Sequence, residues 1–137
     1  MLPVCNYPLG VEDYRIPDSG FSASSLSINP IVLHSASYAR LNHAAVFSAD
    51  GKRVVAGAWV ALTDDANQFI EVNLGGLKWV SGVVLQGRDS KDHWITKFIA
   101  QYKVDADGVL MVVKDANQQE VMVSLFQANA MLDYPCS

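Results

Sequence analysis

Cysteine is scarce in this 137-residue chain: there are two, Cys5 and Cys136, near opposite ends. Charge is scarce as well, at 18% of residues against 50% hydrophobic, which excludes intrinsic disorder. Ten Lys+Arg against fourteen Asp+Glu leave a net charge of −4, so the basic face that nucleic acid requires is not expected. No stretch approaches the roughly 20 apolar residues of a membrane helix, so no transmembrane segment is expected. Nine Gly and five Pro are scattered without a period, which excludes collagen-like or low-complexity sequence. There is no Asn-x-Ser/Thr sequon, and Met1-Leu2-Pro3-Val4 lacks the basic and apolar regions of a signal peptide. That opening suits either a cytosolic protein or one module of a larger secreted chain. The cysteines bear on the choice. A bridge between them would clamp a single domain and is worth on the order of 5 kcal/mol in the chain-entropy model. Two unrelated thiols in a reducing compartment are the alternative.

What is present has mostly a period of two. Phe98, Ala100, Tyr102 and Val104 alternate with Lys97, Gln101 and Lys103; Ile70, Val72 and Leu74 alternate with Glu71 and Asn73. Each reads as a strand with one buried face. The run Trp79 to Leu85 is apolar on both faces and predicts an interior strand, and Val109–Val113 and Val121–Phe126 predict two more. Turn signals fall between them: Asp50-Gly51, Asp64-Asp65, Gly75-Gly76, Asp107-Gly108 and Asp115-Ala116-Asn117. Short strands spaced by turns predict one all-β domain over 1–137, an antiparallel sandwich or jelly-roll-like barrel. The first 65 residues read instead as long loops over that scaffold with few regular strands, and such loops are where binding tends to reside.

Catalytic chemistry is hard to place. His34, His43 and His93 have no metal-ligand spacing, and no phosphate loop, nucleophile elbow or zinc-protease run is present. Asp105-Ala106-Asp107-Gly108 opens like a calcium loop, but Val109 to Val113 supplies no further carboxylate, and a hairpin turn is the better reading. Gly87-Arg88-Asp89-Ser90 is not an Arg-Gly-Asp signal. No enzyme, cofactor or metal is expected.

Several segments together resemble the discoidin domain, also called the coagulation factor V/VIII type C domain. Cys5-Asn6-Tyr7-Pro8-Leu9-Gly10-Val11-Glu12 is similar to the family's opening. Ile16-Pro17-Asp18 with Phe21-Ser22-Ala23-Ser24-Ser25, Ala39-Arg40-Leu41-Asn42 and Ala58-Trp59 follow in its order. Gln68 to Gly75, Val83 to Arg88 and Trp94 to Tyr102 continue the likeness, which covers about residues 5 to 108. Trp59, Phe69 and Trp94 are then expected as core anchors, Gly75 and Gly87 at turns, and Arg40 in a buried ion pair or against backbone carbonyls. Two departures stand out. Ala44 to Gly57 is longer than the family's connection, and the chain stops soon after Phe126-Gln127-Ala128-Asn129, so the C-terminal end of the barrel is expected to be incomplete or rewired.

The resemblance implies a non-enzymatic module of a larger extracellular or cell-surface protein, binding through loops at one end of the barrel. Those loops are Leu26–Tyr38, Ala44–Gly57 and Gly87–His93. In the third, Arg88, Asp89, Lys91, Asp92 and His93 offer the mixed donors and acceptors that sugar hydroxyls require, pointing to a cell-surface glycan or glycoprotein. In the first two, Ile31, Val32, Leu33, Val46 and Phe47, with His34 beside them, fit the alternative: insertion of apolar tips into a phospholipid membrane. The −4 charge works against an anionic surface, offset locally by Lys52 and Arg53.

Overall fold

The computed structural model describes residues 8–80, 82–114, 117–119 and 122–124. Among them the regular elements are eight short strands and two single-turn 3-10 helices, so the protein is all-β. The strands are β1 (Phe21–Ala23), β2 (Val46–Phe47), β3 (Arg53–Val55), β4 (Ile70–Val72), β5 (Lys97–Ile99), β6 (Gln101–Tyr102), β7 (Met111–Val112) and β8 (Met122–Ser124). They pair antiparallel as β1–β4, β2–β3, β5–β8 and β6–β7, four two-stranded sheets with no closed barrel among the described residues. No helix among these residues is long and apolar enough to cross a membrane.

The period-two segments explain most of these strands. Ile70–Val72 pairs with Phe21–Ala23 in the register Phe21↔Val72, Ser22↔Glu71, Ala23↔Ile70. The ladder continues at both ends through Ser24 N–H to the Phe69 carbonyl and Asn73 N–H to the Gly20 carbonyl. The expected strand from Phe98 to Val104 is present as β5 and β6, interrupted at Ala100, whose carbonyl accepts from Val113 N–H. Gly75 turns because its φ is +76°, not because a Cβ would clash, since nothing lies within 4 Å of that position.

Two expectations are corrected. The run from Trp79 to Leu85 forms no strand among its described residues, and Trp79 is 93% exposed. An apolar run becomes a strand only when a neighbouring ladder accepts its backbone, and none of the described strands pairs with it. Phe69 and Trp94 are exposed rather than core anchors; both lie just outside the strands, Phe69 before β4 and Trp94 before β5, where no described sheet covers them. The first 65 residues are mostly loops with few strands, as expected: among the described residues they hold β1, β2 and β3, and the long segment Ala44–Gly57 contains the β2–β3 hairpin. The expected C-terminal departure and the Cys5–Cys136 pair lie outside the described residues.

The best-buried group surrounds Arg40. Ile16, Phe21 and Ser37 are buried with it, while Ala56 is buried elsewhere, bonded to Leu33 and His43. The guanidinium lies between the rings of Tyr14 and Phe21, at 4.3 and 4.5 Å from their centroids. It donates to the Val11 carbonyl at 2.7 Å, the Ile16 carbonyl at 2.8 Å and Asp18 Oδ1 at 2.6 Å. Arg40 caps backbone carbonyls as expected and also makes an ion pair, which is buried at the Arg40 end and exposed at Asp18. Trp59 is half-buried and donates its indole N–H to the Ser25 carbonyl at 3.0 Å. That bond ties the segment before the first loop to the one after the hairpin.

Candidate functional site

The first loop is shaped by Asn29, whose side-chain carbonyl accepts from the N–H groups of Ile31 and Val32 at 2.9 and 3.0 Å. This local turn lifts Ile31 into solvent, 65% exposed. Leu33 then runs parallel to β3, donating to the Val54 carbonyl and accepting from Ala56 N–H. Its side chain is 64% exposed, Val32 and His34 are half-buried, and Ser35 caps the 3-10 turn Ala36–Ala39 through Ser37 N–H. Ile31 and Leu33 therefore stand out from the scaffold and do not pack back on it.

The second loop is the β2–β3 hairpin. It closes through Ser48 N–H to the Lys52 carbonyl at 2.8 Å, with Gly51 at φ +78° and a Lys52–Asp50 ion pair of 2.9 Å. Ser48 and Lys52 hold the Asp50 carboxyl below the usual carboxylate range. Val46 and Phe47 are about half exposed, and the Arg53 guanidinium sits over the Phe47 ring at 5.3 Å.

The third loop folds on itself. Arg88 N–H donates to the His93 carbonyl, His93 N–H donates to the Lys91 carbonyl, and Arg88 Nη1 lies 3.3 Å from His93 Nδ1. Asp89, Lys91, Asp92 and His93 are exposed, while Arg88 is half-buried.

These three loops are joined. Asp89 Oδ2 accepts from Ala45 N–H at 2.9 Å, Asp89 N–H donates to the Gly57 carbonyl at 3.3 Å, and Arg53 Nη2 donates to the Ser90 carbonyl at 2.6 Å. Gly57 permits this approach: a Cβ there would meet Asp89 Cβ and its carbonyl oxygen at 2.8 Å. Farther along the same junction, Asn42 N–H donates to Gln86 Oε1, and Gln86 Nε2 donates back to Asn42 Oδ1. His43 stacks on Tyr38 at 4.4 Å and bonds the Ala56 carbonyl, a structural post between the first and second loops.

The anticipated residues thus fall into two groups. Ile31, Leu33, Val46 and Phe47 are exposed apolar tips, with Val32 partly covered. His34, Arg88, Asp89, Lys91, Asp92 and His93 form the polar part. Arg53 and Gly57 belong to the junction too, although neither stands out in the sequence as a site residue. The signal for Arg53 is the Asp50-Gly51 turn, which pairs it with Phe47 across the hairpin. Gly57 had no signal, because the approach it permits comes from a loop more than thirty residues away. A separate cavity of about 220 Å3, lined by Arg15, Asn73 and Leu74 among others, includes no residue of the three loops.

The same junction is embedded in a sequence that the family model for the F5/8 type C domain matches over residues 23–129. The chain belongs to the F5/8 type C domain family. Mouse retinoschisin is 29% identical over 108 residues, covering 76% of this chain and 44% of its own length. Mouse lactadherin is 32% identical over 127 residues, 91% of this chain and 25% of its own length. Zebrafish neuropilin-1a is 30% identical over 128 residues, 91% of this chain and 12% of its own. The F5/8 type C chain described here therefore spans less than half the length of each of these relatives.

Proposed function

We propose that this F5/8 type C chain is a non-enzymatic recognition and adhesion module of a larger extracellular or cell-surface protein. It binds a cell-surface glycan or glycoprotein through the loops 26–38, 44–57 and 87–93. The observation that supports this reading is the set of bonds from Asp89 and Arg53 that joins the second and third loops, with the first bonded along β3. A surface held in place by its scaffold binds without first being ordered. The polar third loop supplies the donors and acceptors. Binding to immobilised glycans or cell-surface glycoproteins is expected, and Asp89→Ala should weaken it by freeing Ala45 N–H and loosening the loop pair. Binding to phosphatidylserine vesicles alone would overturn this reading.

A second reading, peripheral binding to a phospholipid membrane, is favoured by the exposure of Ile31, Leu33, Val46 and Phe47 on adjoining loops. It predicts vesicle binding that is lost in Leu33→Asp/Phe47→Asp. Glycan binding unchanged in that double variant, without vesicle binding, would sink it.

A further inference from the structure

The loop junction concentrates positive charge in a protein of net charge −4. His34 comes from the first loop, Arg53 from β3 and Arg88 from the third loop. Leu33 is hydrogen-bonded along β3 and Arg53 reaches the Ser90 carbonyl, so the three segments meet, and the Arg88 charge is felt at His34 and the Arg53 charge at Arg88. His34 Nδ1, Arg53 Nε and Arg88 Nε are all covered from solvent, and none has a hydrogen-bond partner among the described residues. Of the guanidinium groups, Arg53 donates to the Ser90 carbonyl and Arg88 lies in hydrogen-bond reach of His93, with no other side-chain hydrogen bond from either among the described residues. Neither arginine enters an ion pair among the described residues. The carboxylate beside them in sequence, Asp89, directs Oδ2 to Ala45 N–H.

The electrostatics agree with this geometry. Burial and the Arg88 charge push the His34 imidazole below its usual range, and burial and the Arg53 charge act against the Arg88 proton. A guanidinium keeps that proton regardless, so the like charges remain, partly desolvated and without an ion-pair partner among the described residues. Structures that gather like charge without a counter-ion are candidates for binding its opposite.

We propose that His34, Arg53 and Arg88 form a seat for one oxyanion, the sulfate ester of a sulfated glycan. This rests on the glycan reading above and specifies its ligand class. A sulfate has several acceptor oxygens, enough for the Nη groups of both arginines and an imidazole N–H, and a tetrahedral anion suits donors supplied by three segments. The phosphate of an anionic bilayer has the same chemistry but is the weaker candidate. A bilayer presents a whole charged plane to a molecule of net charge −4, and Lys52 on the hairpin tip is already paired with Asp50. A single ester group meets only the local cluster.

The test uses the protein with a heparin-derived hexasaccharide, its desulfated counterpart and phosphatidylserine vesicles, with inorganic sulfate as the smallest probe. The sulfated hexasaccharide should bind and the desulfated one should not. Arg53→Gln and Arg88→Gln should each weaken binding by roughly tenfold or more, the loss of a charge-assisted pair. Arg88→Lys, which keeps the charge and the fold, should fall between. Inorganic sulfate should shift the His34 imidazole resonances, and those of His43 little. Equal binding of the sulfated and desulfated sugars, unaffected in folded Arg88→Gln, would overturn the sulfate seat while leaving glycan recognition intact. Vesicle binding with no affinity for either sugar would overturn both.

Discussion

At the scale of single residues, Arg40 shows how one side chain can replace much of an apolar core. Its side chain is 2% exposed, yet Asp18, its ion-pair partner, is 67% exposed, so the pair has a dry end and a wet end. Most of the stabilisation should come from the dry end, where two carbonyls and two rings fill the positions around the guanidinium. Arg40→Ala is therefore expected to cost about 3 kcal/mol or more, leaving buried carbonyls unpaired, while Asp18→Ala costs about 1 kcal/mol. Urea unfolding of the two variants checks the ordering, which an equal loss would contradict. His34 gives a pH prediction. Its proton affinity is lowered in the fold by burial and then by Arg88, so the unfolded chain binds the proton more readily. Stability should then fall as pH drops through the ordinary histidine range, about 6.5, toward the lower folded value. His34→Gln should flatten that slope in unfolding curves at about pH 7 and 5.5; a wild-type slope unchanged by the substitution would assign the effect elsewhere.

At the scale of elements, the junction depends on close approach more than on regular structure. Gly57→Ala places a methyl group against the backbone of Asp89 and close to Ala45 N–H at 3.1 Å. The second and third loops must then separate, with an expected cost of about 1–3 kcal/mol and weaker ligand binding. Gly51→Ala makes a useful contrast: space is open there, but φ is +78°, so the cost is strain at the hairpin tip, about 1 kcal/mol, with the loop junction intact. Thermal unfolding and binding measured on both variants separate the two effects. The same contrast shows what a sequence can disclose. Alternation at Ile70–Leu74 and the Asp50-Gly51 turn are local, and both are present in the structure. So were the motif residues around Arg40, whose partners Val11, Ile16 and Asp18 lie in the neighbouring motif segments. Trp79 to Leu85 was misread because burial on both faces depends on partner strands that a local pattern cannot specify. Arg53 and Gly57 were not recognised as site residues because their importance lies in Ser90 and Asp89, far along the chain.

At the scale of the whole molecule, the described strands pair only in twos, and a ribbon of two strands contributes little stability by itself. Large side chains such as Trp94 and Phe69 remain exposed beside these ribbons, so long-range restraint counts for more than in a fully closed core. A bridge between Cys5 and Cys136, expected from the sequence, would be one such restraint. It would close a loop of about 130 residues, and chain-entropy arguments assign such a closure on the order of 5 kcal/mol, less if the native geometry is strained. That is comparable to the whole stability of many small domains. Protein prepared under oxidising conditions is thus expected to show no titratable thiol after unfolding, and its urea midpoint should fall sharply when reductant is added. Cys5→Ser/Cys136→Ser should match the reduced protein, because entropy lost from the unfolded chain does not depend on how the link was removed. If both thiols titrate freely in oxidised protein and reductant leaves the midpoint in place, the restraint must come from packing alone, and the extracellular reading loses its chemical support.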